Sequence, residues 1–209
     1  MARPREFDEA EVVQAARDQF WLHGFNATSL DDLTVVTGLG RGSLYAAFND
    51  KRDLFLRALD DYATTVMGQL LADLRDPEKC GRDRLVDHIR LITKLLTADT
   101  KGRGCLMAKS AAEMGATDKE VARRVRKWLD NYQRDLAEAI RAAQRDGDID
   151  PDVDPDELAL LILALLRGAE ALRKGGMSPR AIVSVADQAI ALLPRRRTAV
   201  GPDFELLTE

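Results

Sequence analysis

The segment TSLDDLTVVTGLGRGSLYAAFNDK, residues 28–51, carries the pattern that decides how this chain folds. Thr28 or Ser29 can cap a short helix, because a hydroxyl ahead of Asp31 and Asp32 accepts from the free N–H groups of a first turn. Leu30, Leu33 and Val36 then share one face. Gly38-Leu39-Gly40 interrupts the pattern with residues that accept positive φ, as a tight interhelical turn requires. In the next segment, Arg41 to Phe48, Leu44 and Phe48 point inward, which leaves Arg41, Gly42, Ser43, Tyr45 and Ala46 on the outer side. Two short helices joined by a glycine turn, the second with a small polar outer face and one aromatic, have the pattern of a helix-turn-helix. An ordinary helical hairpin has the same composition, so the pattern alone leaves both readings open.

On the N-terminal side, Phe7 to His23 reads as a helix with Val12, Ala16 and Phe20 inward and Gly24 as terminator. Phe25 closes a small core with Leu30, Leu33, Leu44 and Phe48, and Trp21 reads as packing beside it. His23 reads as a surface residue. Arg3, Pro4 and Arg5 form either a loose tail or a basic arm for phosphate or a minor groove. On the C-terminal side, Asn49-Asp50-Lys51 opens a long helix to about Leu74, striped by Leu54, Ala58, Tyr62 and Val66. Such a helix, running from the small unit into the next, is a lever whose tilt sets where the small unit sits.

The run FxxxGFxATSLxDLxxxxGLGRGSLYxxFxDKxxLF, within Val12 to Leu59, resembles the DNA-binding domain of the TetR/AcrR family of one-component bacterial regulators. The resemblance implies an all-α protein: a three-helix DNA-binding domain over residues 1–52, a helical ligand-binding and dimerisation domain over 53–194, and a tail over 195–209. It implies double-stranded DNA as partner, read as an inverted repeat by two copies of the chain. At matching positions, Thr28 and Ser29 would offer hydroxyls and helix N–H groups to phosphate, and Lys51 would be a phosphate-contacting lysine. Arg41, Gly42, Ser43, Tyr45 and Ala46 would lie on the groove side. There Arg41 would read guanine or hold phosphate, Gly42 would permit close approach, Ala46 would touch a thymine methyl, and Tyr45 would bond phosphate or pack on a sugar.

The second half is a succession of amphipathic helices. Leu85, Ile89, Ile92 and Leu96 mark one over residues 82–98, with His88 beside the stripe as an interior or boundary residue. Cys105 opens another, over 105–114. Val121, Val125, Trp128, Tyr132, Leu136 and Ile140 mark a long one over 118–146. A ligand cavity among these helices and the one at 156–174 is what the resemblance implies. The expected lining is Met67, Ile92, Leu96, Cys105, Met107, Ser110, Trp128, Tyr132 and Leu165, largely apolar and suited to a lipophilic or aromatic small-molecule effector. Effector binding would stabilise a spacing of the DNA-reading units that no longer fits the operator, the usual consequence being release of a repressor.

LALLILALL, residues 158–166, is apolar on all sides yet half the length of a membrane span. The helix over 178–193 is similarly apolar. Together, helices 156–174 and 178–193 predict a four-helix interface with a twofold copy, a homodimer. One thick core in a single chain is the alternative.

Asp146, Asp148, Asp150, Asp152, Asp154 and Glu157 occupy calcium-loop positions, but Pro151 stands where the loop needs its glycine. Asp154-Pro155-Asp156-Glu157 reads better as a cap, a first-position proline and an acidic first turn. No metal or cofactor is expected. Cys105 lies at a helix N-terminus near Lys101 and Arg103, both of which favour thiolate. Since some TetR-type regulators sense oxidants or electrophiles through cysteines, oxidation or alkylation of Cys105 is the alternative switch; an inert, packed thiol is the plainer reading.

Bulk composition sets bounds. The formal charge is −4, and residues 1–52 hold six Lys/Arg against eight Asp/Glu, so DNA binding must rest on where a few cations sit. The 195–197 arginine run reads as a solvated tail. No apolar signal segment, no run of the roughly 18 residues a membrane helix needs, and only Cys80 and Cys105 predict a cytoplasmic protein. No Ser/His/Asp set, phosphate loop or paired buried carboxylates points to an enzyme.

Overall fold

The computed structural model describes residues 7–196, and every element in it is helical. Arg3, Pro4, Arg5 and Arg197 lie outside the described residues. The first unit comprises α1 (Glu9–His23), α2 (Leu30–Thr37) and α3 (Arg41–Phe48), closed by α4 (Lys51–Asp61). Asp8 caps α1 by accepting from the N–H of Ala10 at 2.8 Å. Ser29 and Asp32 form a reciprocal capping box at the start of α2, and Asp50 caps α4 through the N–H of Asp53. Gly38 ends α2 in the left-handed region at φ 68°, the conformation that turns the chain into α3.

This unit is held by the apolar faces that the spacing marked out. Val12, Ala16, Phe20, Leu33, Leu44 and Phe48 are buried, and Phe20, Phe25 and Phe55 form an aromatic cluster with centroids 4.9–6.2 Å apart. Phe55 comes from α4, so the lever helix completes the core of the first unit.

The lever is not the single helix over 51–74 that its stripe predicts. After Asp61 it widens into five π-helical residues, Tyr62–Val66, resumes as α5 (Met67–Leu70) and tightens into a 3₁₀ turn, Ala72–Arg75. Thr64 and Thr65 return their hydroxyls to carbonyls of Asp60 and Asp61, which competes with regular helix bonding at this point. The wider turn directs Tyr62, Val66 and Met67 toward one cavity, described below.

The body is built on α6 (Gly81–Ala98), α7 (Leu106–Met114), α8 (Lys119–Arg145), α9 (Pro155–Lys174) and α10 (Pro179–Ala191). At about 1.5 Å per residue, α8 spans roughly 40 Å and forms the spine. Val121, Val125, Trp128, Tyr132, Leu136 and Ile140 are all buried along it. Asp118 caps α8 and receives Arg52 from the start of α4 at 2.5 Å. Asp154 and Pro155 start α9 as the sequence predicts, with Asp154 accepting from the N–H groups of Asp156 and Glu157. Among the described residues, no helix is long and apolar enough to cross a membrane.

The apolar surplus of α9 and α10 is not consumed by one core. Leu160, Leu161, Leu165, Leu172, Val183 and Leu192 are exposed, Leu192 to 77%.

Candidate nucleic-acid interface and ligand cavity

The outer face of α3 has the composition its spacing predicts: Arg41, Gly42, Ser43, Tyr45 and Ala46 are exposed while Leu44, Ala47 and Phe48 are buried. Tyr45 keeps nearly half of its surface open, while its covered part borders Leu30 and Leu33 of α2. Arg41 donates from Nε and Nη2 to one oxygen of Asp31, at 3.0 and 2.6 Å. Both partners are solvated, so this exposed pair adds little stability and can be exchanged for another acceptor. Gly40 caps α3 without a side chain, which leaves the first N–H groups of α3 open.

Two of the residues expected to face phosphate are placed differently from expectation. Thr28 is fully buried, and its hydroxyl donates to the Gly24 carbonyl at 2.7 Å, so it fixes the turn between α1 and α2 and its side chain does not face outward. Ser29 is exposed but spends its hydroxyl on Asp32. Lys51 sits at the first position of α4 with its ammonium 4.2 Å from the Phe25 ring centre. Partial burial lowers its pKa, while Glu113 and Asp32 favour its charge.

A cavity of about 470 Å³ lies between the lever, α6, α9 and the end of α1. Of the expected lining residues it holds Met67, Ile92, Leu96 and Cys105. The others lie elsewhere for identifiable reasons. Tyr132 is fully buried one layer behind, its hydroxyl 2.5 Å from Nε2 of His88. Trp128 lies beneath the guanidinium of Arg167. Met107 and Ser110 face the interior from α7, with the Ser110 hydroxyl returned to the Leu106 carbonyl. Leu165 points away from the cavity into an apolar groove with Leu161, Val185, Ala189 and Leu192. Helix phase assigned these residues to an interior but could not say which side of α8 or α9 the cavity occupies.

The residues that helix phase missed are Trp21, Tyr62, Val66, Gln69, Leu70, Leu95, Ala98, Asp99, Arg103, Gly104, Arg167 and Glu170. Arg167 and Glu170, three apart on an otherwise apolar helix, were the one legible signal among them. Glu170 is buried, accepts from Nη1 of Arg167 at 2.9 Å, and accepts from the backbone N–H of Cys105 at 2.6 Å. Trp21 belongs to α1, yet its indole N–H donates to the Gly104 carbonyl at 2.6 Å, its ring stands edge-on to Tyr62, and Arg103 stacks over it. Gly104 is at φ 59°, and a Cβ there would lie 2.4 Å from Glu170 Oε1, so only glycine brings the loop this close to α9.

Cys105 is the cap residue of α7 and lines the cavity. Its surroundings do not match the expected thiolate environment. Burial pushes its pKa up, Glu170 adds to that, and Arg167 only partly opposes it. Burial likewise holds the neighbouring Tyr62 hydroxyl well above the usual tyrosine range.

From Cys105, α7 runs directly to the DNA-facing unit. Lys109 donates to the carbonyls of Trp21 and Leu22 at 2.6 and 2.9 Å, which closes the free C-terminal end of α1. One turn on, Glu113 accepts from the N–H groups of Phe25 and Asn26. A single helix therefore joins the cavity to the turn that positions α2 and α3.

A paired-helix reading unit with an open polar face, tied through α4 and α7 to a body with a largely apolar cavity, is the build of a one-component DNA-binding regulator. The chain belongs to the tetR family of bacterial regulatory proteins. The family model for the N-terminal domain matches residues 12–58, and that for the tetracyclin repressor-like C-terminal domain matches residues 81–188. The chain is similar to the HTH-type transcriptional repressor ComR of Escherichia coli (strain K12), 28% identical over 192 residues, which cover 92% of this chain and 91% of that one. A cysteine-substituted form of the TetR family regulator CifR, solved with a 26-base-pair operator duplex, superposes with a TM-score of 0.77 at 29% identity, covering 92% of this chain and all of that one. A TetR regulator from Chloroflexus aurantiacus J-10-FL superposes with a TM-score of 0.80 at 25% identity, covering 90% and 96%.

Proposed function

We propose that this protein is a dimeric transcriptional repressor that binds an inverted-repeat operator and releases it when a small apolar effector fills the cavity beside α1. The observation that carries the reading is the bond from the Trp21 indole to Gly104, because it makes one wall of the cavity part of the DNA-reading unit. An effector that displaces Trp21 or the loop ahead of Cys105 moves α7, and through Lys109 and Glu113 the end of α1. The effector shifts the equilibrium only by its differential affinity for the two arrangements. The CifR complex with operator DNA supports the same use of α3 here.

Dimerisation is supported by the exposed leucines of α9 and α10 and by the groove between them. A twofold pairing of these helices would set two copies of α3 one helical turn of DNA apart, about 34–36 Å, or a multiple of it. Replacing Leu161 and Leu192 together by Glu is expected to give a folded monomer in sedimentation; an unchanged dimer would place the interface elsewhere.

Switching through Cys105 is the second reading, favoured by the thiol's position on the cavity wall and opposed by its raised pKa. A Cys105→Ser protein that still releases DNA on effector binding would dismiss it. The deciding experiment for the main reading is selection of random duplex DNA by the purified protein. Enrichment of an inverted repeat with two equivalent half-sites supports it, and a lone half-site or no enrichment refutes it.

A further inference from the structure

We infer that the cavity receives a small apolar molecule ending in one carboxylate, with the guanidinium of Arg167 as the group that holds that end. The inference rests on the effector reading above and narrows it to a chemical class. The walls, formed by Val66, Met67, Leu70, Ile92, Leu95 and Leu96, offer hydrocarbon alone, which fits a flat aryl or short alkyl body. Polar lining comes from Gln69, from Asp99 and Arg103 ahead of α7, and from Arg167 and Glu170 on α9, where the buried groups lie.

There the donors outnumber the acceptors. Glu170 has one oxygen on Nη1 of Arg167 and the other on the Cys105 N–H, 3.4 Å from the ammonium of Lys174. Glu170 takes only Nη1 of the Arg167 guanidinium, so the other N–H groups of that guanidinium are not spent on it. Nε of Arg167 is buried and has no acceptor among the described residues. Native interiors seldom leave such groups unpaired.

The guanidinium is also fixed in place. Its centre lies 5.5 Å from the Trp128 ring and 5.9 Å from the Tyr132 ring. A held, planar guanidinium in a low-dielectric setting matches the two oxygens of a carboxylate better than a single neutral acceptor. A second anionic group is disfavoured by Asp99, which lines the wall and accepts from the Gly104 N–H close to Glu170.

The test compares 3-phenylpropionate with 3-phenylpropanamide, which share a body and differ in charge; neither alkylates a thiol, so Cys105 chemistry stays out of the comparison. Binding is read at neutral pH by calorimetry and by tryptophan fluorescence on the purified protein. The carboxylate is expected to bind at least about tenfold more tightly than the amide. In Arg167→Met the ratio is expected to fall to about one with amide affinity kept, and in Arg167→Lys to be partly restored. Equal binding of the two ligands by the unaltered protein overturns the inference, even if Arg167→Met fails to fold, and leaves the apolar effector reading standing. Binding of neither also overturns it. Because the readout is direct, failure of effector-driven DNA release would show separately, on the selected operator.

Discussion

Lowering the pH from 7.5 toward 4 is expected to destabilise this protein through one buried residue, His88. The side chain is fully buried between α6 and α8, with Nε2 against the Tyr132 hydroxyl and Nδ1 near the Leu70 carbonyl without closing a hydrogen bond. Burial, with the Arg167 charge in support, lowers its pKa from 6.5 to about 4. The folded state therefore keeps His88 neutral where the unfolded chain takes up a proton. Its contribution is present in full above about pH 6.5 and declines as pH falls from there to about 4, below which it no longer changes. A gap of about 2.5 units at about 1.4 kcal/mol each is about 3 kcal/mol, a large share of the roughly 5–15 kcal/mol typical of a domain. The depressed carboxylate of Asp118, held at about 2 chiefly by Arg52, loses its contribution at lower pH, so the two windows separate. Urea unfolding at half-unit pH intervals measures the slope, which approaches 1.4 kcal/mol per pH unit within the His88 window. His88→Gln, which keeps an acceptor for Tyr132, is expected to flatten it. The chain has only two histidines, so a proton NMR titration assigns the midpoint directly. A His88 midpoint near 6.5, or an equal slope in His88→Gln, would refute the reasoning.

Three further outcomes are expected. Gly81→Ala places a Cβ 2.0 Å from the backbone nitrogen of Ala143, so α6 must part from α8; a loss of about 1–3 kcal/mol in urea unfolding is expected, and an unchanged midpoint would contradict the close crossing. Arg41→Ala should weaken operator binding about 10- to 100-fold with little change in Tm, because its ion pair with Asp31 is solvated; fluorescence anisotropy on the selected operator checks this. Glu113→Gln should preserve effector binding yet blunt effector-driven DNA release, since the charge gripping the N–H groups of Phe25 and Asn26 is lost; full release in that variant would place the coupling elsewhere.

The helices, caps and turn of the DNA-facing unit were legible in the sequence, because those signals are local. Caps lie within three residues of the N–H groups they satisfy, the Gly38 turn is a property of one residue, and inward and outward positions on α3 follow from a period of 3.6. Helix identity along the body was legible for the same reason, as was the exposed apolar surplus of α9 and α10. Thr28 was misplaced because two adjacent hydroxyls competed for one cap; Ser29 took it and the Thr28 hydroxyl turned back to Gly24. The π turn at Tyr62 also escaped, since an apolar stripe at helical spacing does not register one wider turn. Only the tertiary structure decided the cavity. Its walls come from residues as distant as Trp21 and Glu170, and whether a buried position faces a void or a neighbour depends on how helices cross. Trp128 and Tyr132 were placed correctly inside, but one layer behind the void. The polar end of the cavity was also settled by assembly, because Glu170 acquires the Cys105 N–H only when the α7 cap meets α9.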